Sequence, residues 1–316
     1  MKSLSMKNPD VNNADILLGP ALCGTLVAAS AERVINAYRD CFDFRVLADQ
    51  PISADHASAW GMPALSGKRM VWLAPATGEA CVLRVIEIPD CLAAEPLRRH
   101  GWLALEISVQ DVDQVAARLR GKDCPFSIIG EPAFLEISDQ IKAMQVIGPA
   151  GEVLYLTEVR APVPPFDLPL APANLVDRRC IPVLSCADRD AALAPYAALA
   201  GRDGLRFATK VTVLNRAFGH DISSQYPVAV LQLAGASLIE IDQVEAASPL
   251  LHNSVGLPSG IGMVSFIVDH AQMAAACLNA GPALVIDAPG YHHQCVLLQR
   301  GSAGEIAELI ASLPAS

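Results

Sequence analysis

Arg84, Glu106, Tyr155, Glu240 and Glu308 are the residues of this 316-residue chain whose types and settings could do chemistry. All sit directly between apolar neighbours: Leu83-Arg84-Val85, Leu105-Glu106-Ile107, Leu154-Tyr155-Leu156, Ile239-Glu240-Ile241 and Ala307-Glu308-Leu309. An arginine turned into an apolar interior demands a partner, because burying its charge alone is strongly unfavourable. Arg84 should therefore meet Glu106, a ligand carboxylate, or both. In the functional reading Arg84 anchors an acidic or enolate oxygen, Tyr155 donates or accepts a proton, and Glu106 is a base whose pKa is raised by burial. In the plainer reading Arg84 and Glu106 form a structural ion pair. Cys23 is a nucleophile only if a base or positive charge lowers its pKa, and otherwise a small apolar filler.

Residues two apart on a strand share a face. If Arg84 faces a pocket, Val82 and Ile86 face it too, and Tyr155 brings Val153 and Thr157. The first half of the chain would then present Arg84, Glu106, Tyr155, Thr25, Thr157 and Cys23 to one aliphatic cavity. Trp60 and His56 lie in the loop 51–66, which could cover its mouth, and Trp60 could equally be an ordinary packing residue. His220, in Phe218-Gly219-His220-Asp221, reads as a turn residue in the equivalent loop of the second half. The chain has no Gly-rich phosphate loop, no Gly-x-Ser-x-Gly elbow and no His-Glu-x-x-His, so hydrolase, kinase and dinucleotide chemistries have no motif behind them.

The elements that must position these residues are announced by a repeat. Gly148-Pro149-Ala150-Gly151-Glu152 recurs as Gly301-Ser302-Ala303-Gly304-Glu305, 153 positions on, about half the chain. That distance indicates a duplicated domain rather than a solenoid of short units. Pro162, Pro164, Pro165, Pro169 and Pro172 make 160–177 a linker between domains expected at 18–159 and 178–314. Weaker breaks at 90–101 and 246–260 divide each half again, leaving four units expected over 18–90, 100–159, 178–243 and 260–314. Each reads as strand, amphipathic helix, then two or three short strands, a βαβββ order in an α+β protein. In the third unit the reading is a helix over 189–199 and a long strand over 206–215. In the fourth it is a helix over 271–280.

Acidic residues outnumber basic ones, 33 to 23, for a net charge of −10, and no basic cluster is stronger than Arg98-Arg99 or Arg178-Arg179. This argues against nucleic acid as a partner and leaves a small molecule in a local pocket. Nine cysteines without a Cys-x-x-Cys pair fit a reducing cytoplasm. The polar start, Met1 to Asp15, and the lack of a long uninterrupted apolar run predict neither an export signal nor a membrane span.

Four βαβββ units, strand-Asp-helix openings such as Ser108-Val109-Gln110-Asp111-Val112-Asp113 and Ile267-Val268-Asp269-His270, and a Gly-x-x-Gly-Glu turn before a last strand resemble the vicinal oxygen chelate superfamily. That superfamily includes glyoxalase I, bleomycin-resistance proteins and extradiol dioxygenases. The resemblance covers residues 20–312 and implies two glyoxalase-like domains whose curved sheets enclose pockets. It also implies a homodimer. The family's metal positions fall on Cys23, Ala104, Ile181 and Met263 at the first strands and on Arg84, Tyr155, Glu240 and Glu308 at the last strands. No histidine stands at any of them, so the two-His, one-carboxylate triad of a dioxygenase is missing. A divalent Fe, Zn or Mn would have only Glu240, Glu308 and His293 as weak ligands. His292 and His293 begin a strand that could approach Glu308, and alternation lets only one of them face inward. Glu240 and Glu308 would face each other in the second half, near Asp242, Ser265 and Met263, as an acid-base pair or as leftovers satisfied by their neighbours. The resemblance thus implies a glyoxalase-like protein that binds a small aromatic or carboxylated metabolite. It would transform it by lyase or isomerase acid-base chemistry with Glu106 and Tyr155, while Arg84, Cys23, Thr25, Trp60, Glu240 and Glu308 contact the substrate. A non-catalytic binder of the bleomycin-resistance type and a divergent dioxygenase relative are the alternatives.

Overall fold

The computed structural model describes residues 18–76, 82–121, 124–269, 284–286 and 294–311. The first unit is β1 (Leu18–Ala28), α1 (Ala31–Phe42), β2 (Phe44–Pro51), β3 (Arg69–Pro75) and β4 (Leu83–Glu87), with a short helix α2 (Ala54–Ala59) in its loop. The second is β5 (Gly101–Val109), α3 (Val112–Leu119), β6 (Ser127–Leu135), β7 (Ser138–Ile147) and β8 (Val153–Val159). The third is β9 (Val176–Cys186), α4 (Arg189–Ala200), β10 (Leu205–Lys210), α5 (Thr212–Phe218), β11 (Gln225–Gln232) and β12 (Leu238–Gln243). The fourth holds β13 (Gly260–Val268), β14 (Leu284–Ile286), β15 (Gln294–Arg300) and β16 (Ile306–Ala311). The helix expected over 271–280 and the histidines at 292 and 293 lie outside the described residues.

Local chemistry explains the helix starts. Ser30, Asp111 and Asp188 sit in extended conformation before α1, α3 and α4, and each side chain accepts a bond from a first-turn N–H. The long strand expected over 206–215 is instead β10 followed by α5. There the Asn215 N–H bonds back to the Val211 carbonyl four residues earlier at 3.0 Å, and the Asn215 side-chain amide donates to the Ile222 and Ser224 carbonyls, which fixes the turn of helix. Gly219, at φ 67°, ends that helix in the left-handed conformation that glycine adopts without strain.

The strands form two eight-stranded curved sheets. The first runs β14-β15-β16-β13-β1-β4-β3-β2 and the second β10-β11-β12-β9-β5-β8-β7-β6. Units one and four therefore share a sheet, as do units two and three, so each sheet is built across the 160–177 segment. At each centre two unit-opening strands run antiparallel, β1 with β13 and β5 with β9. Each is flanked by its own unit's last strand in parallel.

One apolar layer joins the two convex faces with the inner faces of α1, α3 and α4, including Leu26, Leu105, Leu184 and Phe266. The sheets approach so closely there that a Cβ built on Gly24 would lie 2.3 Å from Leu105 Cδ1. The repeated Gly-x-x-Gly-Glu turns serve this layer. Glu152 folds back to accept the Ala150 N–H at 2.8 Å, and Glu305 the Ala303 N–H at 3.0 Å. Each carboxyl also accepts a tyrosine hydroxyl from a neighbouring unit's helix, Tyr38 at 2.8 Å and Tyr196 at 3.1 Å. Burial pushes Glu152 up to about 7, against those hydrogen bonds. Each concave face carries a smaller apolar cluster of its own.

Candidate active site

Strand register assigns four equivalent positions to the middle of each concave face. In the first sheet Thr25 is paired with Arg84 and Ser265 with Glu308. In the second, Glu106 is paired with Tyr155 and Val183 with Glu240. The first-strand positions expected at Cys23, Ala104, Ile181 and Met263 thus lie two residues before the ones beside the last strands, on the same pleat.

The first centre is closed on itself. Arg84, only 2% exposed, donates to Glu308 Oε2 at 2.7 Å, to Ser265 Oγ at 2.7 Å and to Thr25 Oγ1 at 3.0 Å. Glu308 also accepts from Ser265 Oγ at 2.5 Å and from the Trp60 indole N–H at 2.8 Å. The Arg84 guanidinium carbon lies 5.3 Å from the Trp60 ring centroid, a cation–π contact. Trp60 follows α2, whose His56 ring sits 4.1 Å from it. Burial holds the His56 imidazole down at about 4, with Arg84 adding to that and Glu308 opposing. The loop 51–66 is therefore a plug, and Ile52, Met70 and Met263 pack beneath it. Cys23 is buried on β1 opposite Ser265.

The second centre is open. A cavity of about 470 Å³ is lined by Glu106, Tyr155, Thr157 and Glu240 on the sheet floor, with Gln145 beside them. Phe134 from β6 and Phe207 from β10 form apolar walls, and Lys210 and Arg216 stand on the β10–α5 side. Glu106 is the one position of β5 that is not fully buried, because its side chain faces this space. Burial raises Glu106 to about 8, the Glu240 carboxylate adds to the rise, and a Thr157 hydrogen bond opposes it. Glu240 rises to about 7 by burial, opposed by a hydrogen bond with Asp242. Asp242, wholly buried, is pushed up further by burial and by Glu240, so the pair favours holding a proton. The Tyr155 hydroxyl is buried without a hydrogen-bond partner, and burial and the carboxyls keep it protonated.

The expected pocket residues are thus divided differently from the sequence reading. Arg84 meets Glu308, not Glu106, and Glu240 shares its cavity with Glu106 and Tyr155, not with Glu308. Arg84, Thr25, Trp60 and Glu308 are not part of this cavity's lining. Gln145, Phe134, Phe207, Lys210 and Arg216 were not singled out. Gln145 lies opposite Tyr155 on β7, so alternation from Tyr155 would have found it. The α5 residues were hidden by the strand reading of 206–215.

Among the described residues no group of three His, Cys, Asp or Glu side chains has the arrangement to hold a metal ion. On the cavity floor the donors are the Glu106 and Glu240 carboxyls and the Tyr155 phenol; Glu131 and Glu136 also line the cavity, and no described lining residue is a histidine or cysteine. Glu106 and Glu240 both favour their protons, so this set does not fit an iron or zinc site built on two histidines and a carboxylate.

No protein-family model matches the chain, and no curated protein matches it. Solved structures do. Glyoxalase I from Zea mays superposes with a TM-score of 0.58 at 13% identity, covering 92% of each chain. A putative dioxygenase from Bacillus subtilis subsp. subtilis str. 168 does so with 0.55 at 9% identity, over 94% of this chain and 86% of that one. The chain has the vicinal oxygen chelate fold. Identities this low carry the fold and not the activity. No described helix is long and apolar enough to cross a membrane.

Proposed function

We propose that the cavity of the second sheet binds a small carboxylated or aromatic metabolite and moves a proton on it, as a lyase or isomerase does, with Glu106 as base and Tyr155 as hydrogen-bond donor. The observation that carries this is the contrast between two equivalent centres. One is neutralised by Arg84 and Glu308 and plugged by Trp60, whereas the other holds Glu106, Glu240 and Tyr155 around about 470 Å³ of open space. Perturbed acids in a concave, largely apolar site are the usual signature of acid-base chemistry.

Ionised Glu106, held near 8, is a strong base for a proton next to a carbonyl or carboxylate. The Tyr155 O–H, which has no internal partner, donates to the oxygen on which charge develops. Glu240, whose pKa burial raises to about 7, returns a proton on the other side. Lys210 and Arg216 stand where a ligand carboxylate would enter, and Phe134 and Phe207 suit an aromatic body. Residence in the cytoplasm and assembly as a dimer belong to this reading as well.

The test is a screen of small carboxylates by thermal shift, followed by deuterium exchange of ligand C–H protons in D2O monitored by NMR. Exchange should fall at least about a hundredfold in Glu106→Gln and about tenfold in Tyr155→Phe, with affinity largely kept. Binding without exchange in the parent protein would overturn the enzyme reading in favour of a pure binder. Binding that survives Glu106→Gln but responds to Trp60→Ala would move the site to the first sheet.

A further inference from the structure

Away from both concave faces, α1 and the segment after α3 bring two thiols together. Cys41 Sγ and Cys124 Sγ lie 3.2 Å apart, although 83 residues separate them in sequence. Both are free thiols, Cys41 nearly buried and Cys124 partly exposed.

Two independent contacts hold them there. On one side Arg118, near the end of α3, donates to both carboxylate oxygens of Asp43 at 2.6 and 2.9 Å and to the Asp40 carbonyl at 2.9 Å, which locks it to the C-terminus of α1. On the other, Phe126 packs edge-on against Phe42 and Tyr38, with ring centroids 4.9 and 5.3 Å away. Cys124 lies between Arg118 and Phe126 in the chain, and Cys41 lies between Tyr38 and Phe42. A bond of about 2.05 Å therefore needs the sulfurs to close by roughly an ångström.

We propose that Cys41 and Cys124 are a redox-active dithiol that closes to an intramolecular disulfide when a hydroperoxide reaches Cys124. The Cys124 thiolate attacks the peroxide oxygen, breaking the O–O bond, releasing an alcohol or water and leaving a sulfenic acid. The Cys41 sulfur then attacks that sulfur, expelling water as the S–S bond forms. Both thiol protons end in the released alcohol and water, the two cysteines are oxidised, and the peroxide is reduced. A small dithiol reverses the change by exchange. The burial of Cys41, which raises its thiol to about 12, fits the role of the second, resolving sulfur, with the Arg118 charge working in the opposite direction. The bond would tie the first unit to the second, which belong to different sheets, just before β6 enters the cavity wall.

The full-length protein is exposed to hydrogen peroxide, quenched with an alkylating maleimide, digested without reductant and analysed by mass spectrometry. The expected result is a Cys41–Cys124 linked peptide, lighter by two hydrogens than its parts, enriched about tenfold or more over untreated protein and removed by dithiothreitol. Cys41→Ser should lose the link and accumulate dimedone-reactive sulfenic acid on Cys124, and Cys124→Ser should lose the link and leave Cys41 alkylatable after unfolding. Sulfinic acid on Cys124 of the parent protein without a linked peptide would overturn the proposal. So would a link to another cysteine, a link between two chains, or two cysteines that stay alkylatable.

Discussion

Replacing Glu308 by leucine should be among the most damaging single changes in the chain, although the residue lies outside the open cavity. Glu308 is fully buried and accepts from Arg84, Ser265 and the Trp60 indole, all buried themselves. Glu308→Leu removes the carboxylate that the Arg84 guanidinium meets at 2.7 Å, and breaking a buried ion pair from one side costs about 3–5 kcal/mol. The stranded Trp60 N–H adds about 1–3 kcal/mol unless it relaxes. Arg84→Met should cost less, because the carboxyl it leaves keeps two donors and can take up a proton. The double variant Arg84→Met/Glu308→Leu removes both charges and should recover much of the loss, giving a coupling energy of at least about 2 kcal/mol. Urea denaturation of the parent, both single variants and the double variant measures this directly. A loss under about 1 kcal/mol in Glu308→Leu, or strictly additive single variants, would show that Arg84 is not buried against Glu308 as described.

Stability should also depend on pH in a direction fixed by the buried acids. Glu106 is raised to about 8, and Glu240 and Glu152 to about 7, so the folded state holds more protons than the unfolded one. That stability is complete below the unfolded carboxyl range and is lost as pH rises through about 7 to 8. Urea midpoints should fall from about pH 5 to about pH 8.5, more shallowly in Glu152→Gln, and a rising midpoint would refute the assignment. Trp60→Ala should cost about 3–5 kcal/mol through the emptied volume, whereas Trp60→Phe should cost about 1–2 kcal/mol, chiefly for the donor to Glu308; equal losses by thermal denaturation would contradict the plug. Gly24→Ala should cost about 1–3 kcal/mol because its Cβ meets Leu105, and Leu105→Ala in the same chain should make the added methyl harmless.

Much of the fold is legible in local pattern. The apolar spacing of Val112, Val115, Ala116 and Leu119 places α3, the aspartates at 111 and 188 set helix starts, and the recurrent Gly-x-x-Gly-Glu turn marks the duplication. Even the reason for that turn's glutamate is local in part, since its carboxyl caps the turn's own N–H groups. The helix α5 was not legible, because a short alternating stretch satisfies strand and helix periods alike until hydrogen bonding decides between them.

The sequence by itself determined the four units, their βαβββ order and the polar residues at the strand centres. Which units share a sheet was decided only in three dimensions. Pairing β1 with β13 joins residues some 240 positions apart, and no period within either strand specifies that partner, because edges of similar amphipathic strands accept each other equally well. That choice placed Glu308 against Arg84 and put Glu106, Tyr155 and Glu240 together on the floor of a cavity whose basic residues, Lys210 and Arg216, stand on its β10–α5 side. One centre became a sealed ion pair and the other an open acid cavity because burial, not residue type, determines whether a charge is matched inside the protein or left for a ligand.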